Sequence, residues 1–466
     1  MVVAELTRIR WGVVAVVLVA LAAGSRLPPD DGWNGTAHFA LVQSLADGTP
    51  SIDAHLNQSG DIAYVDGHFY AAKDPGLAMF GLPPYAVAEG LGAIPQGPPT
   101  SPPPGAHWVD ERTLWFGNVV VVVAFLVLLL VIRWAVDRAV GTAGTAVALM
   151  LGLGTMLLPF ATAYFAHDLA AALAFSAFAV AAFASRTPPL ATLAGAGVLA
   201  GLAIVVEPPA AIVAGAIAIY VASRRPHLAR LGSFAAGVVV GVIPLLAFNT
   251  WAFGSPVRTG YAYAVKERGA SGHDVLGAND EGLYGITYPD PGALVDLLFS
   301  HRGLFVLTPI TALALVSLPG LARRGLRSEA ILVAGLTAAM LLYNASYAYP
   351  FGGWSPGPRF LVLLLPFLAL PLADAWLRWR KVTLVVAGIS AFWMVTATLA
   401  GPLLPDYERP TLWLERLWDG RDLANAALVD GRAGTAVFLA LVLASVLVAA
   451  GVAQLAARRY SSAARR

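Results

Sequence analysis

Apolar runs that recur from one end of the chain to the other constrain it more than any motif does. They fall near residues 12–24, 114–132, 141–158, 167–184, 190–206, 209–222, 228–250, 302–320, 328–346, 360–377, 381–400 and 433–455. A bilayer core takes about 20 apolar residues per helix, so about twelve such runs describe an all-α polytopic membrane protein. Of its 466 residues, 58% are hydrophobic and 12% charged, against about 25% charged in an ordinary soluble domain. Ala, Val, Leu and Gly dominate, as expected where small residues let helices pack closely in lipid. The absence of cysteine excludes disulfides, thiol catalysis and thiolate metal sites. The net charge of +2 gives no footprint for a nucleic acid, and none is expected as a partner.

The basic residues set an orientation. With Arg8 and Arg10 placed in the cytoplasm and the runs alternating, every short basic cluster lands on that side. These are Arg133 with Arg138, Arg186, Arg224 with Arg225, Arg323, Arg324 and Arg327, Arg378 with Arg380 and Lys381, and the tail Arg458, Arg459, Arg465 and Arg466. Both termini are then cytoplasmic. Ala20-Leu21-Ala22 resembles a signal-peptidase site, but a retained first helix suits the membrane-tethered segment behind it. Two stretches need a decision. Leu77 to Leu91 carries Pro83 and Pro84 and is short for a span, so an interfacial helix is expected. A single helix over 190–222 would be about 50 Å long, so two helices turning at Glu207-Pro208 are expected instead.

The organisation that follows is a first helix within 1–24, an outer loop 25–113, helices over 114–250 and an outer loop 251–301. Helices over 302–455 follow, with outer loops 347–359 and 401–432, and then a basic tail 456–466. Pro95 to Pro104 reads as an extended proline-rich spacer. Polar complexity lies almost wholly outside, so the working face is expected there, in a multi-pass protein of the cell's inner or plasma membrane. No internal repeat is visible, which disfavours a transporter built from duplicated halves.

The 25–113 loop is the richest in chemistry. Asp30 and Asp31 follow the first helix directly. One of them can serve as a general base at the bilayer edge; the bland reading is a pair of solvated loop-start carboxylates or a helix cap. Asn34 to Gly48 reads as a short amphipathic helix that carries His38. Asp66, His68 and Tyr70 come next, then Lys73 at headgroup height. That ammonium either pairs with a lipid phosphate or simply snorkels. His167-Asp168 opens the fourth run, as a cap or as part of a site. Glu207 is an ionisable group at membrane depth and a functional candidate on that ground. Tyr284, Tyr288, His301 and Arg302 mark the second large loop. Trp354 and Arg359 belong to the string GGWSPGPRF. Aromatics at loop ends often form the interfacial belt, but stacking rings also suit sugars, and a guanidinium suits phosphate. No nucleotide-binding loop, dinucleotide fingerprint, zinc-ligand spacing or Gly-x-Ser-x-Gly elbow is present.

Taken together, DGHFYAAKDPG, LYGITYP with HRGLFVLTP, and GGWSPGPRFL resemble a bacterial subgroup of the GT-C membrane glycosyltransferases. The branch is the one with protein O-mannosyltransferases and lipid A aminoarabinose transferases, and the resemblance covers nearly the whole chain. It implies a sugar donor carried on polyprenyl phosphate, used on the outer face of the membrane. It also implies a lipid, glycan or protein acceptor and an inverting displacement assisted by a first-loop carboxylate. Carried over, Lys73 binds the carrier phosphate and Arg359 assists. The family's acidic pair before the Ala-x-x-Leu-x-x-Gly helix aligns with Asn34-Gly35 here, and an amide cannot act as a base. Asp31, with Asp30 as alternate, is therefore the expected base, with Asp66, Asp168 and Glu207 as further candidates. Trp354 and Tyr284 are expected to shape the sugar site. A divalent metal is compatible with this chemistry but has no tight acidic cluster to hold it. A lipid-linked-sugar flippase and a non-catalytic protein of the same fold are the rival readings.

Overall fold

The computed structural model describes residues 2–28, 32–94, 109–264, 282–405, 408–419 and 431–463. The first half of the chain forms α1 (Val2–Gly24), α2 (Trp33–Ala46), strands β1 (Ile62–Val65) and β2 (His68–Ala71), and α3 (Gly76–Gly90). Then come α4 (Glu111–Val140), α5 (Gly144–Gly154), α6 (Leu157–Ala161), α7 (His167–Phe183), α8 (Leu190–Val206), α9 (Ala210–Ala222) and α10 (His227–Phe253). The second half is built on Arg327–Ser346, the 3₁₀ segment Arg359–Leu368, Ala369–Arg378, Arg380–Leu399 and Gly431–Ala463.

Among the described residues, six helices are long and apolar enough to cross a membrane. They become seven if Pro291–Leu307 and Pro309–Arg323, bent by 95°, form one span. The sequence reads 302–320 as one run; the structure breaks it where Pro309 removes a backbone donor. The α5, α7, α8 and α9 runs form shorter apolar helices of 10–17 residues. The turn expected between α8 and α9 is present. Glu207 takes an extended conformation (φ −154°, ψ 111°), and Pro208 and Pro209 follow it. A residue before proline is pushed out of the helical region, so the sequence places this break itself.

Small residues set the packing. Gly197 and Gly201 of α8 face Gly237 and Gly241 of α10 so closely that a side chain on any of them would strike the opposite backbone. The 3₁₀ segment is buried from Leu361 to Leu368 and packs against α7, where Phe367 meets Phe175 and Phe178 at 5.3 Å each.

The first loop folds onto this bundle. Phe39 of α2 meets the edges of Tyr85 and Tyr164 at 5.7 and 5.9 Å. Trp115 donates to the Gly24 carbonyl at 2.9 Å, and Ser59 to that of Trp33 at 2.7 Å. The loop also departs from a purely helical expectation, because Ile62–Val65 and His68–Ala71 pair as an antiparallel hairpin. Its turn is Asp66-Gly67, both with positive φ (49° and 94°), the twist that a two-residue hairpin turn needs. Alternating aromatic and β-branched residues around Asp-Gly carried that signal in the sequence.

Candidate functional site

The loop and the bundle meet at a cavity of about 40 Å³, room for little more than water. Asn34 and His38 line it from one face of α2, four residues apart. Lys73 and Asp74 come from the turn between β2 and α3. His167 is the first residue of α7, and Glu207 is the break between α8 and α9. Tyr261 reaches in from the short turn Gly260–Tyr263, Tyr347 from the end of Arg327–Ser346, and Arg359 and Phe360 from the start of the 3₁₀ segment. Residues spread over more than three hundred positions of sequence thus converge where helices begin or break.

Charge is concentrated there and kept from water. Lys73 forms an ion pair with Asp61 and lies 5.7 Å from the Tyr261 ring centre. Burial pulls the Lys73 ammonium below its ordinary pKa, while Asp61 works against that shift. Asp74 is buried and hydrogen-bonded to Tyr261; burial raises its carboxyl to about 7, opposed by Lys73 and reinforced by Glu207. His38 is pushed down to about 3 by burial and then by Lys73, so it is a neutral imidazole. The Arg359 guanidinium lies 5.1 Å from the Phe360 ring centre and 5.9 Å from that of Phe165. Its Nε is buried and has no hydrogen-bond partner among the described residues.

His167 Nδ1 stands 2.7 Å from a carboxylate oxygen of Glu207, and both side chains are under 10% exposed. The contact is close but off the hydrogen-bond line. Phe160, Phe165 and Phe360 surround the ring at 4.8, 5.8 and 6.0 Å. Asp168, the next residue, is fully buried, and neither of its oxygens has a hydrogen-bond partner among the described residues.

Of the residues singled out in the sequence, His38, Lys73, His167, Glu207 and Arg359 share this cavity. Others lie apart from its lining. Asp66 is exposed at the hairpin turn, and the exposed His68 pairs with Asp53 at 2.7 Å. Tyr70 packs on Phe253 at 5.0 Å. Tyr284 and Trp354 are 39% and 45% exposed, and Tyr288 is 92% exposed. His301 bonds the Glu408 carbonyl at 3.2 Å. Arg302 is buried and bonds the carbonyls of Gly353 and Ser355. Asp30 and Asp31 lie outside the described residues. Among those that are described, no group of three or more His, Asp or Glu stands together in a way that could hold a metal ion.

No family model matches the sequence, and no curated protein sequence matches it. Solved structures do match it. ArnT from Cupriavidus metallidurans, bound to undecaprenyl phosphate, superposes with a TM-score of 0.54 at 14% identity, covering 96% of this chain and 73% of that one. Its apo state gives 0.52 at 17% identity over the same shares. The oligosaccharyltransferase AglB from Archaeoglobus fulgidus, in complex with an inhibitory peptide and a dolichol-phosphate, gives 0.51 at 13% identity, covering 93% of this chain and 56% of that one. This chain therefore shares the fold of these two proteins. Within that fold, the chain's own cavity includes residues that sequence reasoning passed over. Asp74 follows Lys73 directly, but one residue of a loop gives no sign that it is buried. Tyr261, Tyr347 and Phe360 lie in aromatic strings where nothing marked these particular rings, and Asp61, outside the lining, reaches the cavity through its pair with Lys73.

Proposed function

We propose that this chain is a GT-C-type glycosyltransferase that moves a sugar from a polyprenyl-phosphate carrier to a lipid, glycan or protein acceptor. The transfer takes place on the extracytoplasmic face of the membrane, with both termini in the cytoplasm and the runs outside the six long spans also crossing. The observation that carries the reading is the convergence of Lys73 and Arg359 on one water-poor cavity that buried carboxylates also line. Two cations in a low-dielectric pocket suit a phosphate, and Arg offers it a planar pair of donors. Neighbours of this fold were solved with undecaprenyl phosphate and with a dolichol-phosphate, which adds support for a lipid phosphate here.

The chemistry is an in-line displacement. An acceptor hydroxyl oxygen attacks the anomeric carbon and forms the new glycosidic bond. The bond from that carbon to the carrier phosphate breaks with inversion, and its electron pair leaves on the phosphate. Lys73 and Arg359 stabilise the charge that develops there, and a base at the cavity takes the hydroxyl proton. A cavity of about 40 Å³ is smaller than a sugar, so the site opens to admit the donor.

Release of polyprenyl phosphate tests this reading. Purified protein in nanodiscs is given a panel of polyprenyl-phosphate sugars together with candidate acceptors. Turnover that Lys73→Met and Arg359→Ala each reduce is expected. If the parent releases no carrier phosphate from any donor, the enzyme reading falls.

A further inference from the structure

We infer that His167, backed by Glu207, takes the proton from the attacking acceptor hydroxyl, an inference that rests on the glycosyl-transfer reading above. Among the described residues, the cavity offers few groups for this step. Asn34 lines it, but a carboxamide has no lone pair basic enough to hold a proton. His38 lines it too, but burial and the nearby Lys73 hold its pKa at about 3, which leaves a very weak base. Asp74 is engaged by Tyr261 and sits beside Lys73, where the carrier phosphate is to bind. Asp168 is buried outside the lining.

His167 differs from His38 in its neighbour. Its Nδ1 faces the Glu207 carboxylate at 2.7 Å, while its Nε2 is buried with no hydrogen-bond partner among the described residues. A carboxylate beside one ring nitrogen stabilises the imidazolium that forms when the other nitrogen accepts a proton. The local chain supports this pairing. His167 starts α7, and Glu207 sits at the proline-enforced break of α8, so backbone rather than a flexible side chain brings the two together. The phenylalanine rings around His167 keep water away and leave the hydroxyl as the proton donor at hand.

The step balances. The hydroxyl O–H bond breaks and its proton passes to Nε2 of His167. The oxygen forms its bond to the anomeric carbon, and the carbon–oxygen bond to phosphate breaks with its electrons on the carrier. The imidazolium, beside Glu207, returns its proton to the departing phosphate.

The test uses the full chain in nanodiscs, reading carrier-phosphate release and, separately, equilibrium binding of polyprenyl phosphate. His167→Ala is expected to lower turnover about 10²–10⁴-fold, the range for a lost general base, while binding of polyprenyl phosphate is kept. Added imidazole is expected to restore turnover to His167→Ala but not to Lys73→Met. Glu207→Gln is expected to lower turnover by a smaller factor, as for a group that acts through the ring. His167→Ala working at the parent's rate overturns the inference and leaves the transferase reading standing. So does loss of both binding and turnover without imidazole rescue, which makes the residue structural. So does abolition by Asp31→Asn with His167→Ala still active. A parent that releases no carrier phosphate overturns the transferase reading, and the inference with it.

Discussion

Lys73 and Asp61 form an ion pair whose side chains are 3% and 10% exposed, at the point where the β hairpin meets the cavity. Removing one member of a buried pair strands the other charge and costs about 3–5 kcal/mol, whereas replacing both with apolar residues is often neutral or stabilising. Lys73→Met is therefore expected to lower the melting temperature in detergent, and Lys73→Met with Asp61→Leu to recover it. Neither variant should bind polyprenyl phosphate, because the cation is gone in both. Thermal melts and ligand binding on the single and double variants check this. Recovery of binding in the double variant would remove Lys73 from the phosphate site.

The turn that carries Lys73 is held against the break carrying Glu207 through Gly76. A Cβ at this position would lie 2.5 Å from the Val205 carbonyl oxygen and from the Val206 Cα, closer than real side chains come to backbone. Gly76→Ala must move α3 away from the end of α8, and overpacking of this kind costs about 1–3 kcal/mol. The expected result is a lower melting temperature and reduced turnover together, since Lys73 and Glu207 are drawn apart. A variant that melts lower but turns over at the parent's rate would show that the site tolerates this displacement.

Asp74 gives the protein a pH signature. Its ordinary pKa of 3.8 is raised by burial to about 7 in the fold. Between those values the folded chain holds a proton that the unfolded chain has released. This contribution to stability is therefore fully present below about pH 4 and is lost as pH rises through about 7. Asp74→Asn keeps the neutral shape and removes the titration. Melting temperature measured from pH 4.5 to 8.5 should fall for the parent beyond its other pH effects, and the Asn variant should lack that component. Matching profiles in the two proteins would show Asp74 ionised at low pH in the fold.

How far the sequence reached depends on the kind of signal each residue carries. His38, Lys73, His167, Glu207 and Arg359 were visible because a polar residue beside an apolar run is conspicuous, and the structure brings all of them to one cavity. Glu207 was legible down to its backbone, since two prolines after a lone charge dictate a break. Asp74 and Tyr261 were not, because their role comes from burial across distant segments and no local pattern encodes it. The Asp66-Gly67 hairpin was legible by its turn chemistry but was hidden by the surrounding helical signal. Length alone also did not reveal the 95° bend at Pro309 within the 302–320 run.

Arg302 connects the second half of the chain to Arg359 without lining the cavity. Its Nη2 donates to the carbonyls of Gly353 and Ser355 at 3.2 and 2.6 Å and meets the Ser355 hydroxyl at 3.0 Å. Its guanidinium lies 5.3 Å from the Phe351 ring centre. The Arg359 amide in turn donates to the Phe351 carbonyl at 3.3 Å, so the turn that Arg302 clamps is the one from which Arg359 departs. Lysine keeps the charge but is shorter and lacks the plane that lies over Phe351, so it holds these acceptors less well. Hydrogen bonds to a charged group contribute about 1.5–3 kcal/mol, and part of that loss should appear as a displaced Arg359. Arg302→Lys is expected to raise KM for the polyprenyl-phosphate donor about tenfold with kcat nearly unchanged, the pattern of lost uniform binding. Steady-state kinetics with the donor varied at saturating acceptor measure this split. A fall in kcat at unchanged KM would instead place Arg302 in the stabilisation of the reacting centre, and parent-like kinetics would confine it to holding the loop.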